Sequence, residues 1–80
     1  MYLLRYEPRI EAVWDSLPDQ AREEFDRAIL AACEDPYAST EPHPKDGDVK
    51  RMLTLQYTRA VLLVFTQPRR LRILDLKHLG

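Results

Sequence analysis

The residues best suited to chemistry are cations in the second half of the chain. Eight basic side chains stand on and between its predicted strands: Lys50, Arg51, Arg59, Arg69, Arg70, Arg72, Lys77 and His78. Such a set can hold an RNA backbone and neutralise the charge that develops at phosphorus when a 2′-hydroxyl attacks the neighbouring phosphate. This reaction proceeds without a metal ion if the protein supplies a base, a cation at the non-bridging oxygens and an acid for the leaving 5′-oxygen. Histidine can serve as that acid.

The same cations also have a simpler explanation. Lysine and arginine at hairpin turns and strand ends protect sheet edges from unwanted pairing and keep a protein soluble. Composition alone favours this second interpretation. The choice between them depends on which elements position the cations.

The remaining chemical motifs predict neither a cofactor nor a metal site. The sequence has no glycine-rich phosphate loop and no HExxH or CxxC pair. His43 and His78 have no second histidine or cysteine at ligand spacing. Cys33 lies in a predicted helix with apolar neighbours, where a small buried side chain is more common than a nucleophile. Since it is the only cysteine, no intramolecular disulfide forms.

Charge is distributed unevenly along the chain. Residues 1–43 carry four basic and ten acidic side chains, a net charge of −6, whereas residues 44–80 carry eight basic and three acidic, a net charge of +5. The overall charge of −1 therefore hides a basic half that could contact phosphates or an acidic protein.

The predicted strands of the basic half surround one apolar run. Residues 60–65 are all apolar, which predicts a central strand buried on both faces. Before it, Leu53, Leu55 and Tyr57 alternate with polar residues, and after it Leu71 and Ile73 do the same. The short polar segments between these runs predict hairpins, hence a three-stranded antiparallel meander.

The acidic half predicts one strand and two helices. Residues 2–6 predict a short first strand that ends before Pro8. Two apolar stripes with helical spacing follow, separated by Pro18, and they predict a helical hairpin with one apolar side. Residues 37–48 lack periodicity and predict a loop of about a dozen residues. The chain is thus predicted to be one α+β domain, residues 1–80, with helices on one face of a single sheet and the other face open.

Short motifs in this order resemble the RelE/ParE toxin superfamily of bacterial type II toxin–antitoxin systems. The resemblance spans nearly the whole chain, including the helix break at Ser16-Leu17-Pro18-Asp19. Arg51-Met52-Leu53 matches the arginine-x-leucine step with which members enter the sheet. Arg59, two residues after Tyr57, approximates their tyrosine-arginine context before the central strand, and Leu76-Lys77-His78 matches the apolar-x-histidine that often ends their last strand.

The resemblance implies one of two toxic activities. RelE-like members are ribosome-dependent endoribonucleases that cleave messenger RNA (mRNA interferases), and ParE-like members inhibit DNA gyrase. If the chain is RelE-like, the resemblance makes Arg59 the phosphate-stabilising cation and His78 a candidate acid. Lys50 and Arg51 would then be cations that bind the RNA backbone or activate the base. The other basic side chains would bind RNA: Arg69, Arg70, Arg72 and Lys77.

Three functions therefore stay open: a metal-independent mRNA endoribonuclease, a gyrase inhibitor, and a non-catalytic interaction module on the same fold. Each predicts a protein partner, which the resemblance makes a cognate antitoxin, because an open sheet face and exposed strand edges offer a docking surface. A core this small also leaves room for self-association. With neither a signal peptide nor an apolar run of the roughly 20 residues that span a bilayer, we expect a cytoplasmic protein with no membrane contact.

Overall fold

One five-stranded sheet organises the fold. The computed structural model describes residues 1–80. The elements in chain order are β1 (Leu3–Tyr6), α1 (Pro8–Ser16), α2 (Asp19–Glu34), α3 (Pro36–Ser39), β2 (Glu41–Pro42), β3 (Lys50–Thr54), β4 (Thr58–Thr66) and β5 (Arg69–His78). The strand order across the sheet is β1-β5-β4-β3-β2, with β1 parallel to β5 and the other pairs antiparallel. The predicted α+β plan of a strand, a helical hairpin and a three-stranded meander is confirmed.

Proline sets the boundary between the two long helices. Pro8 opens α1 at a position where a missing N–H costs nothing. Leu17 then has φ −66° and ψ 140°, the extended conformation that a following proline favours, so α1 ends there. Pro18 precedes the first residue of α2, and Asp19 places an acidic side chain near the positive end of the helix dipole.

The core lies between the helices and one face of the sheet. Phe25 from α2 and Ile10 from α1 are fully buried there against Leu62, Leu71 and Ile73 of the sheet. The Trp14 and Phe25 rings pack nearly perpendicular to each other, with the ring centroids 5.0 Å apart. Cys33 is buried, and burial raises the pKa of its thiol.

The prediction that β4 is buried on both faces is wrong. Ala60, Leu62 and Val64 are buried, whereas Val61 and Leu63 are only partly covered and Phe65 is 37% exposed. Both long helices contribute to a single core on one side of the sheet, so β4 alternates like its neighbours. Its uncharged sequence arises because the uncovered side chains are apolar too.

Two boundary predictions also need correction. β3 ends at Thr54, so Leu55 and Tyr57 lie in the turn before β4 rather than in the strand, although both pack against the core. The Glu24 carboxylate of α2 fixes this turn by accepting hydrogen bonds from the backbone N–H groups of Gln56 (3.2 Å) and Tyr57 (3.0 Å).

The predicted loop 37–48 contains most of the four-residue helix α3 and the two-residue strand β2. Asp35 ends α2 and caps α3, because its side chain accepts a hydrogen bond from the Ala38 N–H at 3.2 Å. Elements this short carry no periodicity, which is why the sequence predicted a loop.

None of the helices combines the length and the apolar character needed to cross a membrane.

Candidate nucleic-acid interface

The side of the sheet that the long helices leave uncovered, hereafter the open face, gathers most of the predicted cations. Residues directly opposite each other in a ladder share a face, so the partners of the partly covered and exposed β4 side chains also belong to it. By this register six basic residues lie on the open face: Arg5, Lys50, Arg59, Arg70, Arg72 and Lys77. The same register places two acidic residues there, Asp75 opposite Val61 and Glu41 opposite Met52, so the open face is basic by six charges to two in a chain whose net charge is −1.

Arg59 and Lys77 form the most concentrated pair of charges on this face. They are opposite each other in the β4–β5 ladder, and Thr54 flanks Arg59 on β3. The two ion pairs in the structure join Arg9 to Asp75 and Arg72 to Glu7, so neither member of the Arg59–Lys77 pair has an acidic partner. Directly opposed like charges are unfavourable, and an anion such as a phosphate placed between them would relieve the repulsion.

His78 lies at the same end of the sheet as Arg59 but on the other face. It pairs with Thr58, whose side chain is fully buried on the helix side. The structure therefore does not bring the predicted acid and the predicted phosphate-binding cation together on one face. The residue on the open face beside Arg59 is Lys77, the one immediately before His78.

Arg51 is separated from the other predicted site residues by burial. Its side chain lies on the inner face of β3, 8% exposed, and donates hydrogen bonds to the Thr40 hydroxyl (2.9 Å) and the carbonyls of Thr40 (2.8 Å), Gly47 (2.8 Å) and Tyr37 (3.2 Å). Its guanidinium also lies 5.1 Å from the centre of the Tyr37 ring. Arg51 thus holds residues 37–47 against the sheet. Arg51 is two residues before Leu53 and therefore shares its face in an extended strand, which was the sequence signal that Arg51 faces inward.

A second group of cations crosses the open face farther along β4. Lys50, Leu63, Arg72 and Arg5 are neighbours across four strands. Lys50 is four residues from Thr54, which pairs with Arg59, so it lies about 13 Å along the strand from that position. The Arg72 guanidinium donates a hydrogen bond to Oε1 of Glu7 at 3.0 Å. The sequence did not single out Arg5, because parallel pairing of β1 with β5 cannot be deduced from local patterns.

Arg69 and Arg70 diverge although they are adjacent. The Arg70 guanidinium lies 5.6 Å from the centre of the Phe65 ring on the open face. Arg69 instead lies 5.9 Å from the Tyr2 ring, and it alternates onto the same side as Leu71. Of the four residues predicted to bind RNA, Arg70, Arg72 and Lys77 thus share one surface and Arg69 does not. Their functional roles stay predictions.

The chain contains no group of three or more histidine, cysteine, aspartate or glutamate side chains placed to hold a metal ion. Lysine and arginine outnumber the two carboxylates of the open face, Glu41 and Asp75, so the chemistry that this face can supply is mainly electrostatic and hydrogen-bonding. Arginine presents a planar fork to phosphate oxygens, and lysine a compact positive charge.

Comparison with solved structures identifies the fold. The isolated E. coli RelE toxin superposes with a TM-score of 0.82 at 16% identity, covering 100% of this chain and 86% of that one. The intact E. coli RelBE toxin–antitoxin complex gives a TM-score of 0.83 at 18% identity, covering 100% of this chain and 99% of that one. The chain has the RelE toxin fold. A RelE mutant in complex with an antitoxin RelBc peptide also matches, with a TM-score of 0.78 at 16% identity over 99% of this chain and 84% of that one.

The RelE fold is thus shared along the whole length of the chain, although the sequences are only 16–18% identical. No protein-family model and no curated protein sequence matches the chain. The predicted resemblance to the RelE/ParE superfamily is confirmed at the level of the fold.

Proposed function

We propose that the chain is the toxin of a bacterial type II toxin–antitoxin system and that it cleaves mRNA on the ribosome without a metal ion. The observation that carries this proposal is that Arg59 and Lys77 lie opposite each other on the open face of a RelE fold, and neither forms an ion pair with an acidic side chain. A cognate antitoxin is expected as its partner, since RelE itself is found in a complex with an antitoxin. Its site of action would be the cytoplasm, where ribosomes translate.

The proposed reaction is an internal transfer at phosphorus. The 2′-oxygen bonds to the adjacent phosphorus as the bond from phosphorus to the 5′-oxygen breaks, leaving a 2′,3′-cyclic phosphate and a 5′-hydroxyl. The 2′-hydroxyl proton passes to a base, and the leaving 5′-oxygen receives a proton from an acid. Negative charge accumulates on the non-bridging oxygens, where the Arg59 guanidinium would bind it.

Two residues compete for the role of acid. Lys77 is on the same face as Arg59, and its ammonium group would both stabilise and protonate the leaving oxygen. His78, the acid that the family resemblance implies, lies on the opposite face. Lys50, farther along the open face, would bind the RNA backbone away from the cleaved bond.

Tightly induced expression in bacteria tests the proposal. We expect wild-type protein to arrest growth and to create new mRNA 5′ ends within translated regions, and we expect Arg59→Ala to abolish both. Arg27→Ala is the matched control, because it removes an exposed arginine of α2, away from the open face. Growth arrest with intact mRNA would contradict the ribonuclease and support a different toxic target. Normal growth in cells that contain folded protein would contradict the toxin itself.

A further inference from the structure

Phe65 is the feature of the open face that the proposed reaction leaves unexplained. It is 37% exposed at the end of a strand whose inner residues form the core. Exposed aromatic rings on a sheet are costly to leave in water, and they are common where a flat ligand stacks.

Three arginines surround this ring. Arg5, Arg70 and Arg72 line a depression of about 140 Å³ with Phe65. One carboxylate, that of Glu7, compensates Arg72, whereas Arg5 and Arg70 form neither an ion pair nor a side-chain hydrogen bond. The Phe65 pocket, as we call these four residues, therefore holds an excess of two positive charges.

The shape and charge of the Phe65 pocket fit one chemical class. A single-stranded nucleotide combines a flat base, which stacks on a phenyl ring or a guanidinium plane, with a phosphate that arginine binds through two parallel hydrogen bonds. A peptide carboxylate would use the arginines but not the ring, and an apolar side chain would use the ring but leave two guanidiniums uncompensated.

The position of the Phe65 pocket relates it to the proposed cleavage site. Phe65 is six residues from Arg59 on β4, so the two lie about 20 Å apart on the same face. One nucleotide cannot reach both, whereas a strand of several nucleotides can. Two rows of residues lie between them: one carries the acidic Glu41 and Asp75, and the next, closer to Phe65, carries the basic Lys50 and Arg72.

We propose that the Phe65 pocket binds an unpaired nucleotide of the RNA, with the base stacked on Phe65 and the phosphate held by Arg5, Arg70 and Arg72, several nucleotides from the bond at Arg59. This inference rests on the proposed function for the identity of the substrate. It adds a subsite that holds the substrate strand in register and acts through binding rather than through chemistry.

Binding of a non-cleavable oligonucleotide tests the subsite. The probe is a fluorescent single-stranded 2′-O-methyl RNA of about ten nucleotides, a length typical for one such domain, measured by anisotropy without ribosomes. We expect Phe65→Leu, which keeps apolar bulk but removes the ring, to weaken binding about tenfold with an unchanged salt dependence. Arg5→Gln and Arg70→Gln should each lower the slope of log affinity against log salt by about one.

Two controls separate stacking from charge. Arg27→Gln, which removes an exposed arginine of α2, should leave binding unchanged, and heparin, a polyanion without bases, should bind wild type and Phe65→Leu equally. Wild-type protein that does not bind the probe, a Phe65→Leu affinity within twofold of wild type, or an equal loss for heparin would each overturn the subsite. Thermal unfolding followed by circular dichroism confirms that each variant is folded.

This experiment fails separately from the proposed ribonuclease. Protein that binds the oligonucleotide through Phe65 but leaves mRNA intact in cells would keep the subsite and reject the cleavage. Cells with cleaved mRNA, together with Phe65-independent binding in vitro, would do the reverse.

Discussion

Arg59 and His78 lie at the same end of the sheet on opposite faces. The cause is register: Arg59 is opposite Lys77, and His78 is opposite the buried Thr58. A substrate held on the open face by Arg59 would therefore meet the Lys77 side chain before it met the His78 imidazole. Substitution of Lys77 and substitution of His78 should therefore affect cleavage differently.

If the chemistry occurs on the open face, Lys77→Ala should reduce mRNA cleavage more than His78→Ala does. A positioned acid contributes about 10² to 10⁴ in rate, so we expect at least a hundredfold difference between the two variants. Cleavage by purified protein on programmed ribosomes, followed over time, measures it. Equal activity of Lys77→Ala and wild type, with loss in His78→Ala, would return the role of acid to the histidine.

The opposed charges of Arg59 and Lys77 also have a predicted cost in stability. Since no acidic group compensates either one, removing one charge relieves repulsion. We expect Arg59→Gln to leave the free energy of unfolding unchanged or to raise it by up to about 0.5 kcal/mol. Urea unfolding measures this, and a clear loss of stability would indicate that Arg59 has a structural role instead.

Arg51 is predicted to matter for folding rather than for RNA contact. Replacing it by methionine keeps much of its apolar stem but leaves the acceptors on Tyr37, Thr40 and Gly47 without their donor. We expect Arg51→Met to lower the free energy of unfolding by about 2 kcal/mol. Lys50→Met, its neighbour on the open face, is the control and should change stability by less than about 0.5 kcal/mol. Similar effects for the two variants would contradict the assignment.

One-sided burial of β4 gives a matched pair of core variants. Leu62 is fully buried, and Leu63 is partly covered on the open face. We expect Leu62→Ala to cost about 2–5 kcal/mol in unfolding free energy and Leu63→Ala less than about 1 kcal/mol. Comparable losses, measured by urea unfolding, would show that both faces of β4 are covered.

Cys33 predicts an alkaline loss of stability. Burial raises the pKa of its thiol above the ordinary value of 9.0, so the unfolded chain releases the thiol proton at a lower pH than the folded chain does. The contribution of Cys33 to the free energy of unfolding is therefore constant at pH values well below 9.0, the pKa of the thiol in the unfolded chain. It declines as the pH rises from there through the higher pKa of the folded chain. Between about pH 8 and 10, wild type should therefore lose more unfolding free energy than Cys33→Ala does. Parallel curves for the two proteins would contradict this account.

The elements defined by local pattern could be predicted from the sequence. The two helices follow from apolar stripes interrupted at Pro18, and the meander follows from short polar turns between apolar runs. Burial of β4 could not be predicted correctly, because an uncovered face made of Val61, Leu63 and Phe65 looks the same in sequence as a covered one. Helix placement decides that question, and it depends on the whole chain.

The candidate site divides along the same line. Arg59 could be singled out because a short motif surrounds it. The inward orientation of Arg51 and the position of Arg5 beside Arg72 depend on contacts between distant segments. The two-residue spacing between Arg51 and Leu53 indicated in part that Arg51 faces inward, whereas no local pattern indicated the position of Arg5.

The parallel pairing of β1 with β5 has a consequence for the order of folding. The ion pair between Glu7 and Arg72 joins residues 65 positions apart, and the adjacent strand pairing spans a similar distance, so closing it carries a large entropic cost that the local β4–β5 hairpin avoids. We expect β1 to dock late and to detach first, with amide protons in β1 exchanging faster than those in β4. Detachment of β1 would remove Arg5 from the Phe65 pocket and leave Arg59 opposite Lys77. The proposed nucleotide subsite would therefore be lost before the Arg59–Lys77 pair.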